Sequence, residues 1–345
     1  MRPTAFFHCL LIVPAITFGL VAGAPAGRSD HVLGKRTTTY ECDTPSVAAL
    51  DAAFSEMKLM LTSAIDRTSS LITFLNNPPG DATSTGQLLK STFNTFEAIF
   101  GKLEFGAGNS ANADAISRVQ TILNLATVMR NELQVISSND YLEIYCTDYW
   151  LVSSSPDGTI SETNPYFYWD NRDTKTMPLG IDFTISNGIC RDDQSTHYAW
   201  VQPEMSSSQT TLRKTTVLTL CPSGLSDWVS KYQAGATMTS YKTKLWTSSD
   251  GVTLNDFQGG TLDDGSCEVN GRTQSAYGWY CITQLAVSAP SNAVQNADSF
   301  SFYVTAMYLS NYDWSTGIPV LMLTDSTPWY EDGLADLMSR VTLYG

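Results

Sequence analysis

Imidazole is the scarcest reactive group in this chain of 345 residues. There are three histidines, and His8 and His31 both fall within the first 31 positions. A Ser-His-Asp or Cys-His arrangement beyond that point has only His197 to draw on. His197 sits in the run Thr196-His197-Tyr198-Ala199-Trp200, which reads as a strand. Its neighbours give no base-and-orienter pattern, so a structural hydrogen bond is favoured over a catalytic base. Carboxylate pairs are the next candidates: Asp263-Asp264 with Glu268, and Asp192-Asp193. A glycosidase needs two carboxyl groups about 5–10 Å apart across the scissile bond. Nothing in the spacing selects that geometry, and acidic pairs in glycine-rich loops are mostly solvated turns or weak calcium ligands. The sequence contains no G-x-S-x-G elbow and no G-x-x-x-x-G-K-[ST] loop, so those two chemistries have no motif here.

Thiols are the other chemical resource. Cys9 lies in an apolar stretch at 5–22 that follows a short basic start and precedes small residues at Ala22, Gly23 and Ala24. This is the pattern of a secretory signal peptide, expected over residues 1–23. Gly34-Lys35-Arg36 resembles a dibasic processing site, which predicts a short propeptide at 24–36 and a mature chain from Thr37. The six later cysteines are Cys42, Cys146, Cys190, Cys221, Cys267 and Cys281. In an exported chain they predict up to three disulfides, and counting alone leaves the connectivity open. None forms a C-x-x-C pair, and there is no N-x-S/T sequon. The formal charge of −14 gives no electrostatic reason to bind nucleic acid. No later stretch is apolar enough for a membrane span. The protein is expected to be secreted and extracellular.

The elements that would position these groups fall into two regimes. Residues 44–136 show helical spacing. Leu50, Phe54, Met57, Leu61, Ile65, Leu71 and Leu75 form one stripe, with Thr44 and Ser46 available as caps and Asn77-Pro78-Pro79-Gly80 as a stop. Leu88, Phe93, Phe96 and Phe100 form a second stripe. Ile116, Val119, Leu123, Ala126, Met129 and Leu133 form a third, after a loop at 106–112. Such stripes are core rather than cofactor sites. From about residue 140 short β-rich runs follow, at 141–146, 166–169, 181–185, 197–201 and 215–220. A long polar loop is expected at 247–273. Helical patterns return at 274–288 and 293–310, where Ala297, Phe300, Val304 and Met307 share a face. The organisation predicted is α+β, with a helical part at 37–140 and a second part at 141–345.

The segment 271–309 carries the most specific signal. Leu285-Ala286 is followed by Asn296-Ala297-Asp298-Ser299-Phe300, which opens a last helix. This resembles the C-terminal catalytic region of the deuterolysin-type (aspzincin) metallopeptidases of fungi. Tyr145-Cys146-Thr147-Asp148 and Leu220-Cys221-Pro222 resemble further landmarks of that family. The resemblance is loose over 140–314 and close over 271–309. It implies a zincin-like metallopeptidase fold with N-terminal helices, a small central sheet and C-terminal helices.

Members of that family hold zinc with an H-E-x-x-H helix and the Asp of a G-T-x-D-x-x-Y-G motif, and zinc lowers the pKa of its bound water. Here the second motif reads Gly271-Arg272-Thr273-Gln274-Ser275-Ala276-Tyr277-Gly278. Gly271, Tyr277 and Gly278 fit, while Gln274 replaces the ligand Asp. No histidine follows His197. The conventional zinc ligands are therefore missing, and no cofactor is expected unless ligands are relocated, with His197 joining Asp263, Asp264 or Glu268. The resemblance also implies a Cys146–Cys190 disulfide, and Cys221 paired with Cys267 or Cys281. His197, Trp279 and Tyr280 are candidates for a residual cleft. Tyr277, Trp279 and Tyr280 equally suit core packing. The expectation is a catalytically inactive pseudopeptidase with no catalytic residue, acting on a peptide, protein or cell-wall ligand by binding. The alternatives are an active metalloendopeptidase with non-standard ligands and a carbohydrate-binding or carbohydrate-active protein.

Overall fold

The computed structural model describes residues 32–33, 37–76, 86–105, 111–132, 142–148, 151–152, 169–170, 190, 199–202, 216–245, 252–254, 276 and 278–322. The chain opens with β1 (Val32–Leu33) and β2 (Thr37–Tyr40), then α1 (Thr44–Asn76), α2 (Gly86–Phe100) and α3 (Ala113–Glu132). Next come β3 (Leu142–Tyr145), β4 (Leu151–Val152), β5 (Trp169–Asp170), β6 (Ala199–Gln202) and β7 (Thr216–Leu220). It continues through α4 (Pro222–Gln233), α5 (Met238–Leu245), α6 (Gly278–Ser288), α7 (Pro290–Ala293) and α8 (Ala297–Tyr308) to β8 (Tyr312–Asp313) and β9 (Val320–Leu321). The fold is α+β and mostly helical among the described residues. None of the described helices is long and apolar enough to cross a membrane. The leader at 1–23, the strand expected at 181–185 and most of the loop at 247–273 lie outside the described residues.

Contacts divide the chain into two units, each discontinuous in sequence. One comprises Ile16–Ala53 and Gln134–Gly235 and carries a five-stranded sheet of order β1-β2-β3-β7-β6. The three central strands are parallel, with Tyr40 opposite Tyr145 and Tyr145 opposite Thr219. The edge strands β1 and β6 run antiparallel to them. Parallel neighbours need long crossovers, and the one from β2 to β3 includes α1, α2 and α3. Leu218, Thr219 and Leu220 are all buried although adjacent strand residues face opposite ways, so both faces of β7 are covered. Directly after β7, Cys221 caps α4 with Pro222 in the first turn, where a missing N–H costs nothing. Leu225 and Trp228 of that helix are buried. The residue pattern had not singled out this helix.

Both disulfides resolved among the described residues lie at the carboxyl ends of the parallel strands. Cys42 pairs with Cys146, and Cys190 with Cys221. This corrects the pairing implied by resemblance, Cys146 with Cys190 and Cys221 with Cys267 or Cys281. The reason is the parallel pairing of β2 with β3: with Tyr40 opposite Tyr145, both cysteines lie just past the paired strand ends, one residue out of register, with Cα atoms 5.0 Å apart. Cys281 in α6 is also disulfide-bonded, and Cys267 lies outside the described residues. Glu41, between β2 and Cys42, adopts a positive φ of 57°. Its carboxylate accepts a hydrogen bond from the Thr147 hydroxyl. Asp148 is buried, and its Oδ2 accepts from the Cys190 backbone N–H at 3.2 Å. In the chain-entropy picture the Cys42–Cys146 link, with a sequence separation of 104, removes about 4.7 kcal/mol of denatured-state entropy.

The start of α1 corrects the expected capping. The cap is Asp43, one residue before Thr44: its Oδ1 accepts from Ser46 N at 2.9 Å, and its carbonyl takes the bond from Val47 N at 3.0 Å. The Ser46 side chain is buried. The helix stops at Asn76, where the Pro-Pro-Gly stretch predicts.

The second unit includes Phe54–Leu133 and Ala236–Gly345. Its centre is α8, buried on every side from Asp298 to Tyr308, as an enclosed helix must be. Phe96, Phe100 and Tyr303 meet with centroids 4.9–5.7 Å apart. Burying each phenylalanine fully is worth about 1.5–3 kcal/mol. The predicted stripes hold at Met57, Leu61, Leu71, Leu75, Phe93, Phe96, Phe100, Val119, Ala126 and Met129, all buried. Leu88 is exposed, and Ile65, Ile116 and Leu123 are half-buried. Ala64, Arg67, Thr68, Ala115 and Ile122 take the core positions instead.

One glycine is obligatory here. Gly101 ends α2 with φ +87°, and its N–H bonds Glu97 O at 2.9 Å. A Cβ there would stand 2.5 Å from Ala286 O and 2.9 Å from the Pro290 ring. Arg118 seals the same helix end: its guanidinium donates to the carbonyls of Phe100, Gly101 and Lys102 at 2.7, 3.0 and 2.5 Å, and to Asp114 at 3.0 Å.

Candidate functional site

The residues that carried the resemblance meet where α6 and α8 begin. Asn296 is the N-cap of α8: its Oδ1 accepts from Ser299 N at 3.0 Å, and its Nδ2 donates to Ala276 O at 3.0 Å. Two residues on, Asp298 Oδ2 accepts from Gly278 N at 2.6 Å. Gly278 has φ +76°, which suits a residue without Cβ. Asn296 and Asp298 are 5% and 2% exposed, so both bonds are shielded from water. A carboxylate in the first turn also faces the positive end of the α8 dipole. These side chains therefore lock one helix start onto another. Gly271, Gln274 and Tyr277 lie outside the described residues.

A surface groove of about 870 Å³ runs beside this junction, between α2, the turn after it, α6 and α7. Lys90, Glu97, Lys102, Trp279, Thr283 and Val287 are among its lining residues. Trp279 follows Gly278 directly, so the Gly278–Asp298 bond sets its place. Its ring packs on Phe302 at 6.0 Å between centroids, tilted by 57°. It also lies against Gly317, whose φ is +78° and where an added Cβ would stand 2.7 Å from the Trp279 indole nitrogen. Several charged groups in the lining have structural duties. Glu97 Oε1 accepts from Leu103 N at 2.9 Å, and Arg118 caps α2. The arrangement offers one aromatic ring, an apolar side at Ala286, Val287 and Pro290, and a rim of mixed charge. That is a lining for binding.

Of the residues proposed for a cleft, the groove takes Trp279 and leaves out Tyr280, which is 66% exposed. His197 lies outside the described residues, as do Asp192, Asp193, Asp263, Asp264 and Glu268. Among the described residues no group of three His, Cys, Asp or Glu side chains could hold a metal ion.

The sequence reading missed a buried polar centre. Arg67 on α1 is 5% exposed. Its guanidinium donates to Thr92 Oγ1 at 2.8 Å, Ser91 Oγ at 2.5 Å, Leu88 O at 3.3 Å and Met307 O at 3.4 Å. Burial pushes its pKa down to about 10, against the stabilising pull of Tyr303 and Asp313. Burial likewise pushes the Tyr303 hydroxyl up to about 12, and that hydroxyl shares a hydrogen bond with Thr68 at 2.9 Å. Lys242 lies 4.5 Å from the centroid of the Tyr308 ring, and burial and the Arg67 charge lower its pKa. The signal available was an arginine placed at i+3 from Ala64 and i−4 from Leu71, on the apolar face of α1.

Fold and site together define an α+β protein with a disulfide-stapled, centrally parallel sheet and a helical unit that carries an aromatic-lined groove. No family model, curated protein or solved structure matches the chain.

Proposed function

We propose that this chain is a secreted, disulfide-bonded protein of deuterolysin-like, zincin-type fold that has lost peptide hydrolysis and acts by binding. The observation that carries this reading is which landmarks the sequence keeps. Gly278, Asn296 and Asp298 join helix starts, and they are present. The position that the family uses for its ligand carboxylate is Gln274, and no histidine follows His197. A copy of the fold kept for its shape and released from catalysis would retain the first set and lose the second. The groove beside Trp279 is the binding surface in this reading, with a peptide, a protein segment or a cell-wall polymer as ligand.

Metal content and proteolysis test the reading together. The secreted chain is assayed for zinc by elemental analysis at neutral pH without chelator, then for casein cleavage with and without added zinc. The expected result is zinc far below one atom per chain and no cleavage in either condition. Stoichiometric zinc with cleavage abolished by chelator would overturn the proposal in favour of a metalloendopeptidase with relocated ligands.

A further inference from the structure

The groove beside Trp279 carries enough chemistry to name the class of its ligand. We propose that it binds a neutral β-1,4-linked hexopyranose chain, a short stretch of structural polysaccharide. This rests on the reading of the groove as a binding surface and narrows it to one ligand. The groove encloses about 870 Å³, within the roughly 300–1,000 Å³ of sites that enclose small ligands, so an oligosaccharide has room. Trp279 lines it, half-buried, and is held by Phe302 at 6.0 Å and by the close approach of Gly317. A ring fixed before the ligand arrives needs little ordering on binding. A β-linked hexopyranose carries its hydroxyls equatorially, so its axial C–H groups make an apolar face. Those hydrogens suit the electron-rich face of an indole. Ala98, Gly101 and Ala286 add small lining residues, which let a flat chain lie close to the helices.

The polar groups of the lining match hydroxyls better than charges. Asn94 Nδ2 donates to Asp313 Oδ2 at 3.0 Å, and Asp313 Oδ1 accepts from Ser315 N at 2.9 Å. Asp313 thereby fixes an amide and a hydroxyl at the groove, and the Asn94 amide keeps a carbonyl and a second N–H to offer. Thr283 Oγ1 donates to Tyr280 O at 2.8 Å and keeps its lone pairs as acceptors. The described charges cancel, with Lys90, Lys102 and Arg118 against Glu97, Glu104 and Asp114. Each of these carboxylates already accepts a hydrogen bond within the chain, from Leu103 N, Asn112 Nδ2 and Arg118 Nε respectively. A cationic ligand therefore finds them engaged, and a chain of net charge −14 repels an anionic polymer. A peptide fits less well. The lining runs along α2 and α6, whose interior backbone groups are paired within the helices, so an extended peptide finds no strand edge. A helical peptide needs a continuous apolar groove, and polar side chains interrupt this one.

The test is titration calorimetry on the secreted chain, disulfides intact, at low and at high salt. The probes are the β-1,4-linked hexamers of glucose and of N-acetylglucosamine, the β-1,4-linked hexamer of glucuronic acid, and a tryptic digest of casein. Two variants probe the groove. Trp279→Ala removes the ring, and Thr283→Arg places a long side chain into the groove from a half-buried helix position, so it keeps the test open if Trp279→Ala fails to fold. The expected result is binding of at least one neutral hexamer with an affinity that salt leaves unchanged. Thr283→Arg, folded by circular dichroism, should weaken it at least about tenfold, as should a folded Trp279→Ala. No binding of either neutral hexamer, equal or tighter binding of the glucuronic acid hexamer, or unchanged binding by folded Thr283→Arg would each overturn the proposal. Casein peptides that bind in place of the hexamers and are lost in Thr283→Arg would overturn it too, while leaving the groove a binding surface. Stoichiometric zinc and casein cleavage would remove the pseudopeptidase reading without altering any of these titrations, so the two failures are distinguishable.

Discussion

Gly101 and Gly235 make a matched pair that separates backbone strain from packing. Both follow helix ends, with φ of +87° and +79°. Alanine at either must adopt a left-handed conformation, which costs about 1–2 kcal/mol. Replacing glycine also removes denatured-state freedom, which returns about 0.4–1 kcal/mol. At Gly235 nothing lies within 4 Å of an added Cβ. Gly235→Ala should therefore destabilise by about 0–1.6 kcal/mol. At Gly101 the same Cβ meets Ala286 O at 2.5 Å and the Cβ and Cγ of Pro290 at 2.9 Å. These are backbone and ring atoms at the junction of α6 and α7, so relief requires that junction to move away from α2. Overpacking of this kind adds about 1–3 kcal/mol, for a total of about 1–4.6 kcal/mol. Urea unfolding followed by circular dichroism, disulfides intact, measures both variants at constant m. If Gly101→Ala loses no more than Gly235→Ala, the close approach of α2 to α6 and α7 is not a constraint and the reasoning fails.

Two further outcomes are expected. Asp43→Ala should lose about 1 kcal/mol at pH 7, the usual cost of removing an N-cap. Hydrogen bonds to Ser46 lower the Asp43 pKa in the folded state, so its contribution is full above the unfolded value of 3.8 and disappears as the pH falls through the depressed folded value. The difference between wild type and variant in urea midpoint should thus shrink below about pH 4, and a constant difference would contradict the assignment. Arg67→Met should destabilise by about 2–4 kcal/mol because Ser91, Thr92 and two carbonyls lose their donor in a buried place. A thermal midpoint unchanged from wild type would show that the guanidinium contributes no net stability.

The parts of this protein legible in its sequence are those written in neighbouring residues. The stripe Met57, Leu61, Leu71 and Leu75 with its Pro-Pro-Gly stop defines α1, and Phe93, Phe96 and Phe100 define α2. The β-rich runs before Cys146 and Cys221 are β3 and β7. Periodicity and chain breakers act within a few residues, so a linear reading can find them. Even there packing shifted the details: Asp43 caps α1 in place of Thr44, and Ala115 and Ile122 face inward in place of Ile116 and Leu123. The arrangement of distant groups belongs to the tertiary structure alone. The pairing of β2 with β3, which no local pattern encodes, brings Cys42 within reach of Cys146. Gly278 meets Asp298 across 20 residues, and Arg67 reaches Met307 across 240. Such contacts exist because whole elements bury apolar surface against one another, and polar side chains caught between them take whichever partners that packing leaves within reach.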